Sequence, residues 1–201
     1  MDPADTIETV RQTAATELDR LGSDKLLIAV TEATLEPDAV RSAAVARESG
    51  VAGALERWAA DESNGAVADA FAAAATAAAE RADRFEVSAG ESDALTVHFD
   101  SVDGTAQQVG AGLVATPLVA DRFYLQVVNF FVNEPDEASA DVFREVRSDA
   151  SSLDYAREAL AALSTEEREQ ASQAALAAIE AAYDEYATTL ESMGLDPRPV
   201  C

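Results

Sequence analysis

The stretch that decides the fold is residues 117–132, "PLVADRFYLQVVNFFV", which is apolar almost all the way round a helix. A helix with that pattern is buried on every side. Its β-branched and aromatic residues would also suit a strand, but no run bounded by turns lies nearby to pair with it. The stretch therefore predicts a central buried helix that is covered by other helices.

Helical signals continue on both sides of this stretch. Apolar residues recur at steps of three and four near the two ends of the chain, at Ile7, Val10, Ala14, Leu18 and Leu21, and at Leu176, Ile179, Tyr183, Ala187 and Leu190. Residues 66–85 predict an alanine-dominated helix. Helix starts are expected at Asp2-Pro3, Glu36-Pro37, Thr116-Pro117, Glu134-Pro135 and the capping box of Ser164 with Glu167. The prediction is an all-α antiparallel helix bundle.

One irregular segment interrupts this pattern near residues 86–104, "EVSAGESDALTVHFDSVDG". We expect a loop that carries a helical turn, with a short strand as the alternative. No internal repeat or change of composition divides the chain, so residues 1–201 are predicted to form a single domain. Gly194 is expected to end the last helix, and the two prolines that follow should stiffen residues 194–201 into a tail docked on the bundle.

The charge balance is extreme. The chain has 38 acidic and 14 basic residues and a net charge of -24, and Lys25 is the only lysine. The acids are spread along the whole chain, a composition typical of proteins adapted to high salt, where charges are screened within about 3 Å at ~1 M. No basic patch is present, so we expect no nucleic-acid partner.

The same sequence predicts a cytoplasmic protein without a membrane partner. The first residues, "MDPADTIETV", are acidic and unlike a signal peptide, and the apolar run 109–132 is interrupted by Asp121, Arg122 and Gln126. The single cysteine, Cys201, allows no internal disulfide. Alanine-rich residues 66–79 suit helix–helix contact, which favours a homodimer.

Carboxylates on apolar helix faces are the candidate ligands. Glu48 shares a face with Val51, Leu55 and Trp58, and Glu180 shares one with Leu176, Tyr183 and Ala187. Glu17 flanks the apolar stripe of the first helix, and Asp121 lies in the central one. One inward acid from each of four helices is how di-metal carboxylate bundles are built, so these four acids are a candidate site for iron or manganese. The alternative is that arginines such as Arg47 and Arg122 pair with them.

No catalytic residue is predicted. Phosphate loops, dinucleotide-binding glycines, HExxH and paired CxxC motifs are all missing from the sequence. His98 is interpreted as a surface or loop-packing residue, and Cys201 as a tail residue, since an active thiolate needs an electropositive surrounding.

Three stretches carry a family resemblance: 48–63 "ESGVAGALERWAADES", 112–147 "GLVATPLVADRFYLQVVNFFVNEPDEASADVFREVR" and 181–201 "AAYDEYATTLESMGLDPRPVC". They resemble haloarchaeal proteins identified as rubrerythrin-like, within the ferritin-like superfamily. The resemblance implies a ferritin-like bundle and, in fully equipped relatives, a di-iron centre that reduces peroxide or oxidises iron. Here Val51 and Tyr183 stand where the Glu-x-x-His motifs of that family have histidine.

The leading hypothesis is therefore a non-catalytic ferritin-like protein whose metal site is incomplete or lost. One alternative is a di-metal oxidoreductase acting on peroxide or iron through Glu17, Glu48, Asp121 and Glu180. A second alternative is a small-molecule-binding bundle of the thiaminase type, with a pocket lined by Trp58, Phe130, Tyr183 and Tyr186.

Overall fold

The computed structural model describes residues 2–198, and none of them forms a strand. The predicted all-α class is confirmed. The helices are α1 Pro3–Thr13, α2 Ala15–Leu21, α3 Leu26–Val30, α4 Pro37–Asp61, α5 Gly65–Ala82, α6 Ala94–His98, α7 Thr105–Gln108, α8 Thr116–Asn133, α9 Glu137–Ala150, α10 Asp154–Ala161 and α11 Thr165–Ser192. A short 3₁₀ helix, Phe99–Ser101, follows α6, and a π-helix, Val109–Ala115, joins α7 to α8.

Most helices begin where their capping residues predict. Asp2 accepts a hydrogen bond from the Asp5 N–H with Pro3 as the first residue of α1, and Ser164 and Glu167 form the expected capping box of α11. The start at Glu134-Pro135 is wrong by two residues, because Asp136 is the residue that caps α9, accepting from the Ser139 N–H.

The central helix is mostly buried, but not on every side as predicted, because Asn129 and Val132 are exposed, and it does not start afresh at Pro117. It continues from the π-helix, whose seven residues are all buried. At Gly110 an added Cβ would lie 2.0 Å from the Ala171 carbonyl oxygen, so only glycine lets this segment and α11 approach so closely. Among the helices of residues 2–198, none is long and apolar enough to cross a membrane.

The helices assemble in neighbouring pairs around the central segment. The three residues 62–64 join α4 to α5, which pack together, α9 packs on α8, and α11 packs on the π-helix and on α1. The buried side chains of these helices form a hydrophobic cluster with a layer of aromatic rings, in which Phe143 stacks on Phe85 and Phe131. This core holds α4, α8 and α11 in fixed positions relative to one another.

The irregular segment has the expected character, a loop that carries a short helix. Its loop is tied to α4 by the Gly90 N–H, which donates to the Ser42 carbonyl at 3.0 Å. Helix α6 lies directly on α4, since a Cβ at Gly50 would come within 2.8 Å of the Thr96 Cγ2 atom. This close approach places Asp93, the cap of α6, beside α4.

The C-terminal residues dock on the bundle up to Arg198. Gly194 ends α11 with a left-handed φ of 77°, as the sequence predicts, and the Leu195 N–H donates to the Leu190 carbonyl. The Lys25 ammonium donates to the carbonyls of Asp196 and Arg198 at 2.8 and 2.9 Å. The predicted role of Cys201 lies outside the described residues.

Candidate functional site

The four acids predicted as metal ligands occupy very different environments. Glu48 is buried, Glu17 and Asp121 are half-buried, and Glu180 is exposed to solvent. Within residues 2–198, no three His, Cys, Asp or Glu side chains are grouped so that they could hold a metal ion. The structure therefore does not bring these acids together as a ligand set.

Glu48 is held by protein groups instead. Its Oε1 accepts a hydrogen bond from the Tyr124 hydroxyl at 2.6 Å. Its Oε2 accepts a hydrogen bond from Arg81 Nε at 3.0 Å and lies 2.8 Å from Arg81 Nη2 in an ion pair. Both carboxylate oxygens are thus engaged, and the buried negative charge of Glu48 is balanced by the buried guanidinium of Arg81.

Tyr124 stays a hydrogen-bond donor in this cluster. Complete burial raises the pKa of its hydroxyl well above the ordinary value of 10.0, and the negative charge of Glu48 raises that pKa further. The hydroxyl is consequently protonated at neutral pH and keeps its bond to Glu48. We refer to Glu48, Arg81 and Tyr124 as the Glu48 cluster.

Arginine pairing, the alternative to metal binding, also accounts for Asp121. Its Oδ1 accepts a hydrogen bond from Arg147 Nε at 2.9 Å and lies 2.8 Å from Arg147 Nη2, and Arg122 lies 4.0 Å from its other oxygen. On α11, the Tyr183 hydroxyl accepts a hydrogen bond from Arg20 Nη1 at 2.5 Å. Tyr183 is therefore tied to α2.

A separate cavity of about 470 Å³ lies between α3, α4, the loop before α6, α8 and α11. Much of its wall is aliphatic or aromatic, and the side chains that form this apolar wall are Leu21, Leu26, Val30, Leu95, Val119 and Phe123. Beside the cavity, Glu32 and Ala33, which follow the end of α3, have left-handed φ values of 47° and 64°. These values turn the chain sharply towards α4.

Arg47 is the buried charge of this cavity. Its side chain is only 7% exposed, and its guanidinium carbon lies 4.8 Å from the centre of the Phe123 ring. Nη2 lies 2.5 Å from Asp93 Oδ2, but the two are not aligned as a hydrogen bond. Nη1 has no hydrogen-bond partner among the described residues. A buried donor without an acceptor is costly, so the charge of Arg47 is less well compensated than that of Arg81.

Two residues of α11, Glu185 and Tyr186, belong to the polar part of the lining. Glu185 is exposed, and its Oε2 accepts from the Ala94 N–H at 2.8 Å. Partial burial raises the pKa of the Glu185 carboxyl, and the negative charge of Asp93 adds to this effect. Tyr186 donates to the Pro197 carbonyl at 3.0 Å and lies 2.8 Å from Ser23 Oγ, so the cavity wall is connected to the tail.

The aromatic pocket predicted from the sequence differs from this cavity. Of its four residues only Tyr186 is part of the lining. Trp58 packs against Phe71 and Phe99, and Phe130 packs against Phe131. Aromatic composition alone did not locate the cavity, because most of these rings fill the core.

Sequence reasoning missed Asp93 and Glu185. It also missed that Arg47 lines the cavity. A signal for Arg47 exists, because it follows the buried residues Val40 and Ala44 at steps of four and three on α4. A cation on a buried stripe requires a compensating group. Asp93 and Glu185 carry no comparable signal.

Comparison with known proteins gives no relative from which a role could be transferred. No protein-family model, curated protein or solved structure matches this chain.

Proposed function

We propose that this protein is a non-catalytic helical bundle that binds a small organic molecule in the cavity beside Arg47. The observation that carries the proposal is the cavity of about 470 Å³ itself, whose lining includes the buried Arg47.

The size and chemistry of the cavity support this function. Small-molecule sites commonly enclose about 300–1,000 Å³, with mostly apolar walls and a few polar groups that fix the orientation of the ligand. The volume of about 470 Å³ lies in that range. The aliphatic wall would bind an apolar body, while Arg47 would orient it.

We also propose that the bundle is ferritin-like and related to the rubrerythrin-like proteins, with arginine in place of metal. Glu48, which the resemblance aligns with a metal-binding glutamate, has both oxygens occupied by Arg81 and Tyr124. Glu180, aligned with a second one, is exposed. This donor set does not fit a di-metal centre, so we derive no redox chemistry from it. The acidic composition supports placing the protein in a high-salt cytoplasm.

The binding function is tested by screening a fragment set of small amides and amines by ligand-observed NMR. We expect the wild type to bind several of them and Ala43→Phe, which fills the cavity wall, to bind none. Ala73→Phe is the matched control, because Ala73 is exposed on α5 and lies outside the lining. A wild type that binds no fragment, or equal binding by both variants, would overturn the proposal.

Elemental analysis of protein purified without chelator tests the proposal that arginine takes the place of metal at Glu48. We expect no stoichiometric iron or manganese. A di-metal site would instead give about two ions per chain in the wild type. If those ions were found and were lost in Glu48→Ala, the proposal that Arg81 replaces a metal would be contradicted.

A further inference from the structure

The apolar wall of the cavity is shielded from solvent. Leu95, Val119 and Phe123 line the cavity and are only 0–2% exposed. The lining residues that are exposed, such as Glu32 and Glu91, can form only its rim. A ligand that is to contact the apolar wall therefore needs part of the lining to move.

Helix α3 is a short wall of this cavity with an exposed connection. It contributes Leu26, Ala29 and Val30 to the lining and has five residues. Three other walls, α4, α8 and α11, are helices of 25, 18 and 28 residues. Residues 32–36, which lead from α3 to α4, are all exposed. Segments with few buried contacts open more readily than the core, so α3 is the wall that is most easily displaced.

The turn that follows α3 is strained. The Ala33 N–H donates to the Ile28 carbonyl at 2.8 Å, and the Glu32 N–H donates to the carbonyl of residue 29 at 3.2 Å. These are the two bonds of a Schellman motif, whose left-handed residue is usually glycine. Here Glu32 and Ala33 hold φ values of 47° and 64°, which are unfavourable for residues with a Cβ atom. Backbone strain of this kind clusters at ligand clamps and switch segments.

The C-terminal tail holds the start of α3. Lys25, the N-cap residue of α3, donates to the carbonyls of Asp196 and Arg198. Tyr186 of α11 donates to the carbonyl between them, that of Pro197. The tail therefore connects α3 to α11 through hydrogen bonds that can break without disturbing the core.

We propose, on the basis of the binding function proposed above, that α3 is a lid over the cavity and that the C-terminal tail is its latch. The buried side chains of α3, Leu26, Leu27 and Ala29, hold the lid closed together with the tail. The strain at Glu32 and Ala33 opposes them. When α3 lifts, the turn relaxes and a ligand gains access to the apolar wall.

Labelling of a buried cysteine measures the opening. Val119→Cys in a Cys201→Ser chain places the single thiol of the protein on α8, in the lining, where methyl methanethiosulfonate, a small uncharged reagent, reaches it when the lid opens. Val127→Cys is the matched control, because Val127 is fully buried on the same helix but lies outside the lining. Val119→Cys should react about tenfold faster or more, which corresponds to about 1.4 kcal/mol. If Val119→Cys does not fold, Ala182→Cys, at a buried lining position of α11, takes its place.

Substitutions at the two ends of α3 test whether α3 is the wall that moves. Glu32→Gly relieves the left-handed strain, whereas Glu32→Val, which also removes the carboxylate, increases it because β-branched residues tolerate that conformation poorly. The lining cysteine should react about fivefold or more slowly in the glycine variant than in the valine variant. Lys25→Met, which weakens the latch, should speed the reaction about threefold or more, and Lys25→Arg should speed it less.

The outcomes separate the lid from the binding function. Equal labelling of the lining cysteine and the Val127→Cys control would overturn the lid. Faster labelling of the lining cysteine that is the same in both Glu32 variants would assign the opening to another wall and overturn the role of α3. An unchanged rate in Lys25→Met would overturn the latch. These measurements use no ligand, so failure of the fragment screen overturns the binding function while the labelling rates decide the lid.

Discussion

Two buried arginines, Arg81 and Arg47, are used in opposite ways. Arg81 donates through Nε to Glu48 Oε2 and forms an ion pair with it through Nη2, and Tyr124 donates to the other oxygen, so each carboxylate oxygen has its donor. Arg47 has an ion-pair contact with Asp93 that is not aligned as a hydrogen bond, and its Nη1 has no acceptor among residues 2–198. Both arginines are less than a tenth exposed.

The difference separates a well-compensated buried charge from a poorly compensated one. A buried ion pair with good hydrogen bonds is tolerated in a core, but removal of one partner leaves a costly unpaired charge. An arginine that already lacks an acceptor stabilises the fold less. The Glu48 cluster should therefore contribute more to stability than Arg47.

The largest effect is expected for Arg81→Met. This change leaves the 3% exposed carboxylate of Glu48 without its cation and should lower the free energy of unfolding by about 3–5 kcal/mol. Urea denaturation measures the loss. Adding Glu48→Gln should recover part of it, because glutamine carries no charge and can still accept from Tyr124.

Arg84→Met is the matched control for Arg81→Met. Arg84 pairs with Glu145 and Asp149 at 3.4 and 3.3 Å on the surface. Exposed pairs contribute about 0–1 kcal/mol, so this variant should remain close to the wild type. Equal losses in the two variants would remove the distinction between the buried cluster and ordinary surface pairing.

Tyr124→Phe should have the next largest effect. It removes a hydrogen bond to a buried charged group, which is worth about 1.5–3 kcal/mol. Because the pKa of Tyr124 is raised in the folded state, its contribution is complete below pH 10, the ordinary pKa, and is lost as the pH rises further. Denaturation at several alkaline pH values should show a smaller decline for the variant than for the wild type. The same decline in both would exclude Tyr124 as its source.

Arg47→Met should cost less than Arg81→Met, about 1–3 kcal/mol. The methionine retains part of the apolar stem over Phe123, and the change removes a donor that already lacks an acceptor. Asp93 keeps the bond from the Thr96 N–H to Oδ1 and its side chain is 16% exposed, but its Oδ2 is buried and loses the cation beside it. Urea denaturation of both variants in one buffer decides the comparison. A loss as large as that of Arg81→Met would show Arg47 to be a structural residue.

The helical architecture could be predicted because its signals are local. The stretch 117–132, the capping box of Ser164 and the C-terminal Gly194 each determine structure within a few residues, and all were confirmed. The π-helix was missed because it depends on the close approach of Gly110 to Ala171, a contact between segments distant in sequence.

The candidate site was less predictable for the same reason. Glu48 was recognised as an inward acid, but its partner Arg81 is 33 residues away, and the periodicity of one helix does not identify a partner on another. Arg47, Asp93 and Glu185 meet only after α6 has packed against both α4 and α11. A prediction from apolar stripes finds buried charges, whereas their pairing depends on tertiary structure.

The smallest effect is expected for Lys25→Met. This variant shows whether the pairing of a cation or the burial of the pair determines its contribution to stability. Lys25 is paired like Arg81, since it donates to the Asp196 and Arg198 carbonyls, but these bonds lie at the surface. Its loss should therefore change global stability by less than about 1 kcal/mol and should act locally on the tail. Hydrogen exchange of the Arg198 amide, which donates to Asp196 Oδ1, should become faster. Lys25→Arg keeps a cationic donor and should exchange more slowly than Lys25→Met. A global loss comparable to that of Arg81→Met would mean that pairing, rather than burial of the pair, determines stability in this protein.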